Sequence, residues 1–337
     1  GVEYLMNAVS NRPSWRSLQN SPMFRGNEFR HRRLTGWLLL LAIAGLFSAF
    51  GSGKFPLQAV VEESAEKSVE EPAVLQPAAI DARVTGGSLM IVGGGAVTPD
   101  IRRRFVELAG GPQARIVLIP GSDPTPEGEQ RLLSPWKSSG VSSIILVNAK
   151  NHEQADDPDF CTPLKEATGV WFGGGDQALL ADRYVDSLAQ QCLHELLQRN
   201  GVVGGCSAGA ALLSRVMIRA GDPTPVEAKG LDLLSNVIID QHFLARNRLW
   251  RLEQMLEVHP NLIGLGIDEA TALVIQLRSW KLSVVGESYS VVCFPPAKAQ
   301  FPRIEILKPG DEVSLSQLRQ EHFAFHPAPS GSMLAGH

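Results

Sequence analysis

The chain has 337 residues, 44% of them hydrophobic and 20% charged, with a formal net charge of −4. That is enough apolar material for a sizeable packed core. With no basic excess, it excludes a charge-driven nucleic-acid surface. Four widely spaced cysteines, Cys161, Cys192, Cys206 and Cys293, form no CxxC pair. Neither a zinc site nor a disulfide framework is expected, and a single disulfide stays open if the chain is exported.

Residues 1–35 form a basic N-terminal segment that ends in "RGNEFRHRR", Arg25 to Arg33, ahead of the uncharged run "GWLLLLAIAGLFSAF", Gly36 to Phe50. A basic region before a short apolar run is the pattern of a secretory signal. The run falls short of the roughly 20 apolar residues that a spanning helix needs. It is followed by small residues, Gly51 to Gly53, suited to cleavage. Residues 36–53 therefore read as a signal h-region, with an uncleaved signal anchor and a buried core helix as the competing readings. Either exported form leaves the basic side in the cytoplasm and carries the rest out, to the periplasm or beyond. An anchor would put residues 36–50 in contact with the membrane. Were the N-terminus a miscalled start, with Met6 or Met23 as the true one, the expectation would be cytoplasmic. Residues 54–85, rich in Glu, Ala and Pro, lack apolar periodicity and read as a disordered linker.

The folded domain is expected over 86–310, with 311–337 as a C-terminal extension and loose tail. Its elements alternate. "SLMIVGGGA" (Ser88 to Ala96) is an apolar strand ending in glycines, and "IRRRFVELAGG" (Ile101 to Gly111) has helical spacing. "ARIVLIPGSD" (Ala114 to Asp123) is a strand, "PEGEQRLLSPWKSSG" a helix, and "VSSIILVNA" a strand. "GVWFGGGDQ" (Gly169 to Gln177) is again a strand ending in glycines, before one long helix from Ala178. "GVVGGCSAGAALLSRVMI" (Gly201 to Ile218) reads as strand, turn and helix. "VIIDQHFLARNRLWRLEQML" then runs from strand into basic helix, and "LIGLGIDEATALVIQ", "KLSVVGE" and "SYSVVCF" are strands. Continuous apolar strands alternating with amphipathic helices predict an α/β protein with a parallel sheet covered on both faces. The ligand site of such a sheet lies beyond the carboxyl ends of its strands, where these glycine turns fall.

Gly205-Cys206-Ser207-Ala208-Gly209 fits G-x-S-x-G at a strand-to-helix turn. A nucleophile on such a turn needs small neighbours two positions to either side, and the helix that follows aims amides at an oxyanion. The bland alternative is a close-packed turn with Ser207 as an N-cap. The glycines centre on Ser207, so Cys206 is expected to pack inward, with a Cys206 nucleophile as the lesser alternative. A serine needs a general base. Of eight histidines, His242 alone falls at a strand end on the ligand side of the sheet, where the bland alternative is a satisfied turn histidine. Arg246, Arg248 and Arg251 follow it. They suggest an anionic substrate held by bidentate pairs, against the alternative of a solvated basic helix face. Asp268 and Glu269 close an apolar strand and could orient the base, counter the arginines or cap a turn.

"FGGGDQ", "GGCSAGAALLS", "GLDLLSNVIIDQHFLARNRLWRL" and "LIGLGIDEATALVI", in this order, resemble cyanophycinase of peptidase family S51, a serine hydrolase related to the peptidase E aspartyl dipeptidases. The resemblance runs over roughly Ser88 to Pro296. It implies a three-layer parallel-sheet sandwich, flavodoxin-like or class I glutamine-amidotransferase-like, that needs no metal and no cofactor. It also implies cleavage of cyanophycin, a poly-aspartate backbone carrying arginine on each side chain, to β-Asp-Arg dipeptides. Ser207 would be the nucleophile and His242 the base. The family's acid is expected between them, at Asp222 or, second, Glu227. Amides of Gly174 or Gly175 and of Ala208 would form the oxyanion hole. Gln177, Asp240, Gln241, Arg246, Arg248, Arg251 and Glu269 would line the substrate pocket. Cys206 stands where the family usually has Thr or Ser. A peptidase E-like aspartyl dipeptidase and a catalytically silent, membrane-tethered binding domain are the other readings. A homodimer stays open.

Overall fold

The computed structural model describes residues 86–122, 125–222, 224–295 and 303–325. The basic segment 1–35, the apolar segment 36–53, the linker 54–85 and the tail beyond 325 lie outside the described residues, and so do the expectations placed on them.

In chain order the elements are β1 (Ser88–Val92), α1 (Pro99–Leu108), β2 (Arg115–Ile119), α2 (Pro126–Leu133), β3 (Ser143–Leu146), α3 (His152–Ala155) and α4 (Pro158–Glu166). Next come β4 (Gly169–Phe172), α5 (Gln177–Tyr184), α6 (Leu188–Gln198), β5 (Val202–Cys206), α7 (Ala208–Ala211), β6 (Val216–Ala220) and β7 (Val226–Lys229). The rest are β8 (Val237–Gln241), α8 (Leu249–Val258), β9 (Ile263–Ile267), β10 (Thr271–Gln276), β11 (Lys281–Gly286), β12 (Ser290–Cys293), β13 (Ile304–Leu307), β14 (Glu312–Ser314) and α9 (Leu315–Phe325).

The main sheet has the order β14-β11-β10-β1-β5-β4-β2-β3. Strands β1, β5, β4, β2 and β3 are mutually parallel, and β10, β11 and β14 extend the sheet antiparallel from β1. The apolar runs are continuous because both faces of these strands are covered. Leu89, Ile91, Val117, Ile119, Val170, Phe172 and Val203 face one core. Met90, Val92, Ile116, Leu118, Trp171 and Val202, their alternate neighbours, face another. The second core is closed by α1, which buries Ile101 and Phe105. Phe105, Trp136 and Trp171 meet there with ring centroids 5.1 to 5.5 Å apart. The first core takes side chains from α4, α5, α6 and α7, and from a second sheet ordered β13-β12-β9-β8. The result is a three-layer, flavodoxin-like α/β sandwich.

Three details depart from the periodicity. The long helix expected from Ala178 is two helices. Asp186 takes φ 63°, and Ser187 restarts the helix by accepting from the Gln190 amide at 3.3 Å. The helix after Ser207 lasts only from Ala208 to Ala211, and "VMI" belongs to β6. Ser214 Oγ turns the chain by donating to the Ala211 and Val216 carbonyls. Finally, β14 pairs with β11, so the fold continues past residue 310.

Candidate active site

Strand β5 lies between β1 and β4, with Cys206 opposite Val92 and Gly205 opposite Phe172. The three strands therefore end together, and their next residues, Gly93, Ser207 and Gly173, share one rim. Ser207 sits there at φ 55°, ψ −112°, a strained conformation for a residue with a side chain. Its amide donates to Val92 O at 2.9 Å, and its carbonyl accepts from Ala210 and Ala211. The turn is too tight for side chains on either flank. A Cβ on Gly205 would lie 2.3 Å from Gly209 O, and one on Gly209 would lie 2.6 Å from Gly173 O. Cys206 points into the second core. Burial pushes its thiol up to about 12, so no reactive thiolate forms near neutral pH.

His242 follows β8, and its amide donates to Gly93 O at 2.7 Å. Its Nε2 is 2.7 Å from Ser207 Oγ, and its Nδ1 is 2.5 Å from Glu269 Oε1. A carboxylate can only accept, so Nδ1 carries the proton and Nε2 offers its lone pair to the serine hydroxyl. The ring passes close over Gly94, whose φ is 125° and whose Cβ would lie 2.2 Å from His242 Cε1. Burial lowers the pKa of His242, Arg246 and Arg248 lower it further, and Glu269 opposes them.

The third member of this chain is therefore Glu269, not Asp222 or Glu227. Asp222 is exposed, and its charge acts on Asp240 and Arg248. Glu227 binds His259 Nε2 at 2.7 Å. The reason is strand register. β8 and β9 are parallel with Gln241 opposite Ile267, so the residues just past each strand, His242 and Asp268-Glu269, emerge side by side. Reading these two apolar strands as parallel neighbours would have found the pairing. Of the roles open to Glu269, orienting the base is the one its geometry fits.

The loop after β4 supplies the other wall. A Cβ on Gly174 would lie 3.4 Å from Ser207 Cβ and 4.0 Å from its Oγ, so this backbone faces the hydroxyl. Gly175 follows in the same loop, and Ala208 is the residue next to Ser207. Ser122, past the end of β2, shapes the loop. Its Oγ accepts from Asp176 N at 2.7 Å, and its amide donates to Gly174 O at 3.3 Å. Sequence reasoning missed Ser122, which carries no motif. Gln177 opens α5, and its Nε2 donates to Ile218 O at 3.3 Å, tying the site to the β6–β7 hairpin.

The arginines divide. The sequence predicted that all three would hold substrate carboxylates. Arg251 instead grips Asp240 through Nε, at 2.9 Å, and Nη2, while its Nη1 donates to Gly221 O at 2.8 Å. Arg248 donates to Gln241 O at 2.7 Å and lies 3.6 Å from Asp240. Asp240, Gln241, Arg248 and Arg251 are all buried. Asp240 is fully enclosed. Burial pushes its carboxyl up, and Arg251 and Arg248 pull it back. Arg246 alone of the three is exposed. Among the described residues, no group of three or more His, Cys, Asp or Glu side chains could hold a metal ion.

A hydroxyl on a strained strand-to-helix turn, bonded to an imidazole that a carboxylate orients, is the constellation of a serine hydrolase. The model of peptidase family S51 matches residues 85–282, more than half of the chain. The chain belongs to this family and is a serine-type peptidase. A cyanophycinase from Synechococcus elongatus is 30% identical over 247 residues, covering 69% of this chain and 76% of its own. One from Geminocystis herdmanii is 32% identical over 213 residues, covering 59% and 78%. The crystal structure of a peptidase from an acI-B1 Actinobacterium superposes with a TM-score of 0.56 at 26% identity, covering 69% of this chain and 98% of that one.

Proposed function

We propose that this protein hydrolyses cyanophycin to β-Asp-Arg dipeptides through an acyl-enzyme on Ser207. The observation that carries this reading is the unbroken hydrogen-bond chain from Ser207 through His242 to Glu269, at 2.7 and 2.5 Å. Ser207 Oγ attacks a backbone carbonyl carbon as its proton passes to His242 Nε2, and Glu269 steadies the imidazolium. Amides of Gly174 or Gly175 and of Ala208 receive the oxyanion. His242 then returns the proton to the leaving amine. A water, deprotonated by the same nitrogen, releases the acid and regenerates the serine. Arg246, exposed on the turn beside the base, would meet the free α-carboxylate of an arginine carried on the polymer.

The substrate class rests on the cyanophycinases among the relatives. The experiment is incubation of the full chain with purified cyanophycin and mass analysis of the products. Soluble β-Asp-Arg is expected, and Ser207→Ala is expected to abolish it. Full activity in Ser207→Ala would overturn the mechanism. Turnover of Asp-X dipeptides but not of the polymer would overturn the substrate and favour the dipeptidase reading.

A further inference from the structure

Asp268 is the residue between β9 and the acid Glu269, and its carboxylate is fully engaged with the histidine turn. Oδ1 accepts from the Leu244 amide at 3.1 Å and the Ala245 amide at 2.9 Å. Oδ2 accepts from Ser288 Oγ at 2.7 Å. The Asp268 amide in turn donates to Tyr289 O at 3.2 Å. Ser288 is fixed from its other side, since its amide donates to Thr271 Oγ1 at 2.9 Å and Thr271 Oγ1 donates to Glu269 O at 3.0 Å.

These bonds converge on a backbone that needs holding. His242 has φ 49° and Asn247 has φ 52°, both costly for residues with a Cβ and stable only where the surroundings over-determine them. The turn between them runs over Leu244, Ala245 and Arg246, with the Arg246 amide donating to His242 O at 2.9 Å. Asp268 grips the middle of that turn, one residue before the carboxylate that orients the ring.

We propose that Asp268 is a positioning residue. By clamping the turn of residues 243–246 to the β9–β10 turn and to Ser288, it sets the backbone from which His242 and Arg246 project. One dipeptide thus holds the base twice, Glu269 through the ring and Asp268 through the main chain. The catalytic consequence rests on the serine-peptidase reading of Ser207. The positional one does not.

Two readouts separate them. The first is the far-downfield proton resonance of His242 Nδ1–H, read without substrate. The second is kcat and KM on cyanophycin. Asp268→Leu is of similar size and accepts nothing. It is expected to broaden or erase the resonance and to lower kcat about 10- to 100-fold, as a small misplacement of a reacting group does. Asp268→Asn keeps Oδ1 for both amides and turns an N–H toward Ser288 Oγ. It is expected to restore the resonance and bring kcat within a few-fold of wild type. A role in stability alone would lower the melting temperature but leave kcat per folded molecule and the resonance intact, and that result in Asp268→Leu overturns the proposal. If Asp268→Leu does not fold, Ser288→Ala decides. Partial broadening with a measurable fall in kcat supports the clamp, and an unchanged resonance and kcat overturn it. If the wild-type protein proves inert toward every peptide, the function falls and the resonance alone decides the positioning.

Discussion

A histidine serves as a base only while its imidazole is neutral. His242 is held below its ordinary value of 6.5, first by burial and then by Arg246 and Arg248. A lowered pKa keeps the ring unprotonated to lower pH. The plateau of kcat/KM is therefore expected to persist below pH 6.5 before the acid limb falls. Arg246→Ala removes a positive neighbour, so the limb should move to higher pH. Because Arg246 is exposed, added salt should shrink the difference, with screening over about 10 Å at 0.1 M. Rate profiles at two ionic strengths check this, and coincident acid limbs for wild type and variant would refute it. Glu269→Gln keeps the size of the acid but offers an N–H toward Nδ1 and so favours the wrong tautomer. Steady-state kinetics should show kcat falling about 10³- to 10⁴-fold. Asp222→Asn and Glu227→Gln should stay within a few-fold of wild type.

The elements matter through what they fasten together. Strand β8 ends in a buried carboxylate, helix α8 answers with Arg251, and the same guanidinium reaches Gly221 O past the end of β6. One ion pair thus joins the strand that delivers the base to the hairpin flanking the site. Removing Arg251 leaves the fully buried Asp240 without its hydrogen-bonding partner and with only Arg248, 3.6 Å away, to offset its charge. Arg251→Ala is expected to lower the unfolding free energy by about 3–5 kcal/mol, read as a lower urea midpoint. A midpoint unchanged from wild type would mean that the pair does not hold the fold. The basic helix seen in the sequence carries this structural load in Arg251 and Arg248, and only Arg246 remains exposed. Nothing in "ARNRLWR" separates these roles, since burial depends on where the acid on β8 lies.

At the scale of the whole molecule, the parallel strands collect the glycine turns on one rim, and the antiparallel flank closes the sheet from β1 outward. Residues 312–325 belong to this body. β14 pairs with β11, Leu315 is 3% exposed within the first core, and His322 stacks on Phe294 with centroids 4.8 Å apart. Ending the chain at Gly310 uncovers the edge of β11 and the space that Leu315 fills. It should cost at least about 2 kcal/mol. Thermal unfolding of the shortened chain checks this, and an unchanged melting temperature would show that 311–337 contributes nothing.

Local pattern by itself determined the alternation of strands and helices and the glycine turns at the strand ends, and it singled out Ser207 and His242 as the candidate nucleophile and base. Each of these depends on residues close in sequence: period, turn chemistry and the space that a glycine leaves. Only the tertiary structure decided which carboxylate meets His242, the division of the arginines and the hold of Ser122 on the loop after β4. Those depend on which strands lie side by side. Glu269 stands 27 residues beyond His242 and meets it because β8 and β9 run parallel in step. A spacing in sequence carries no trace of that register.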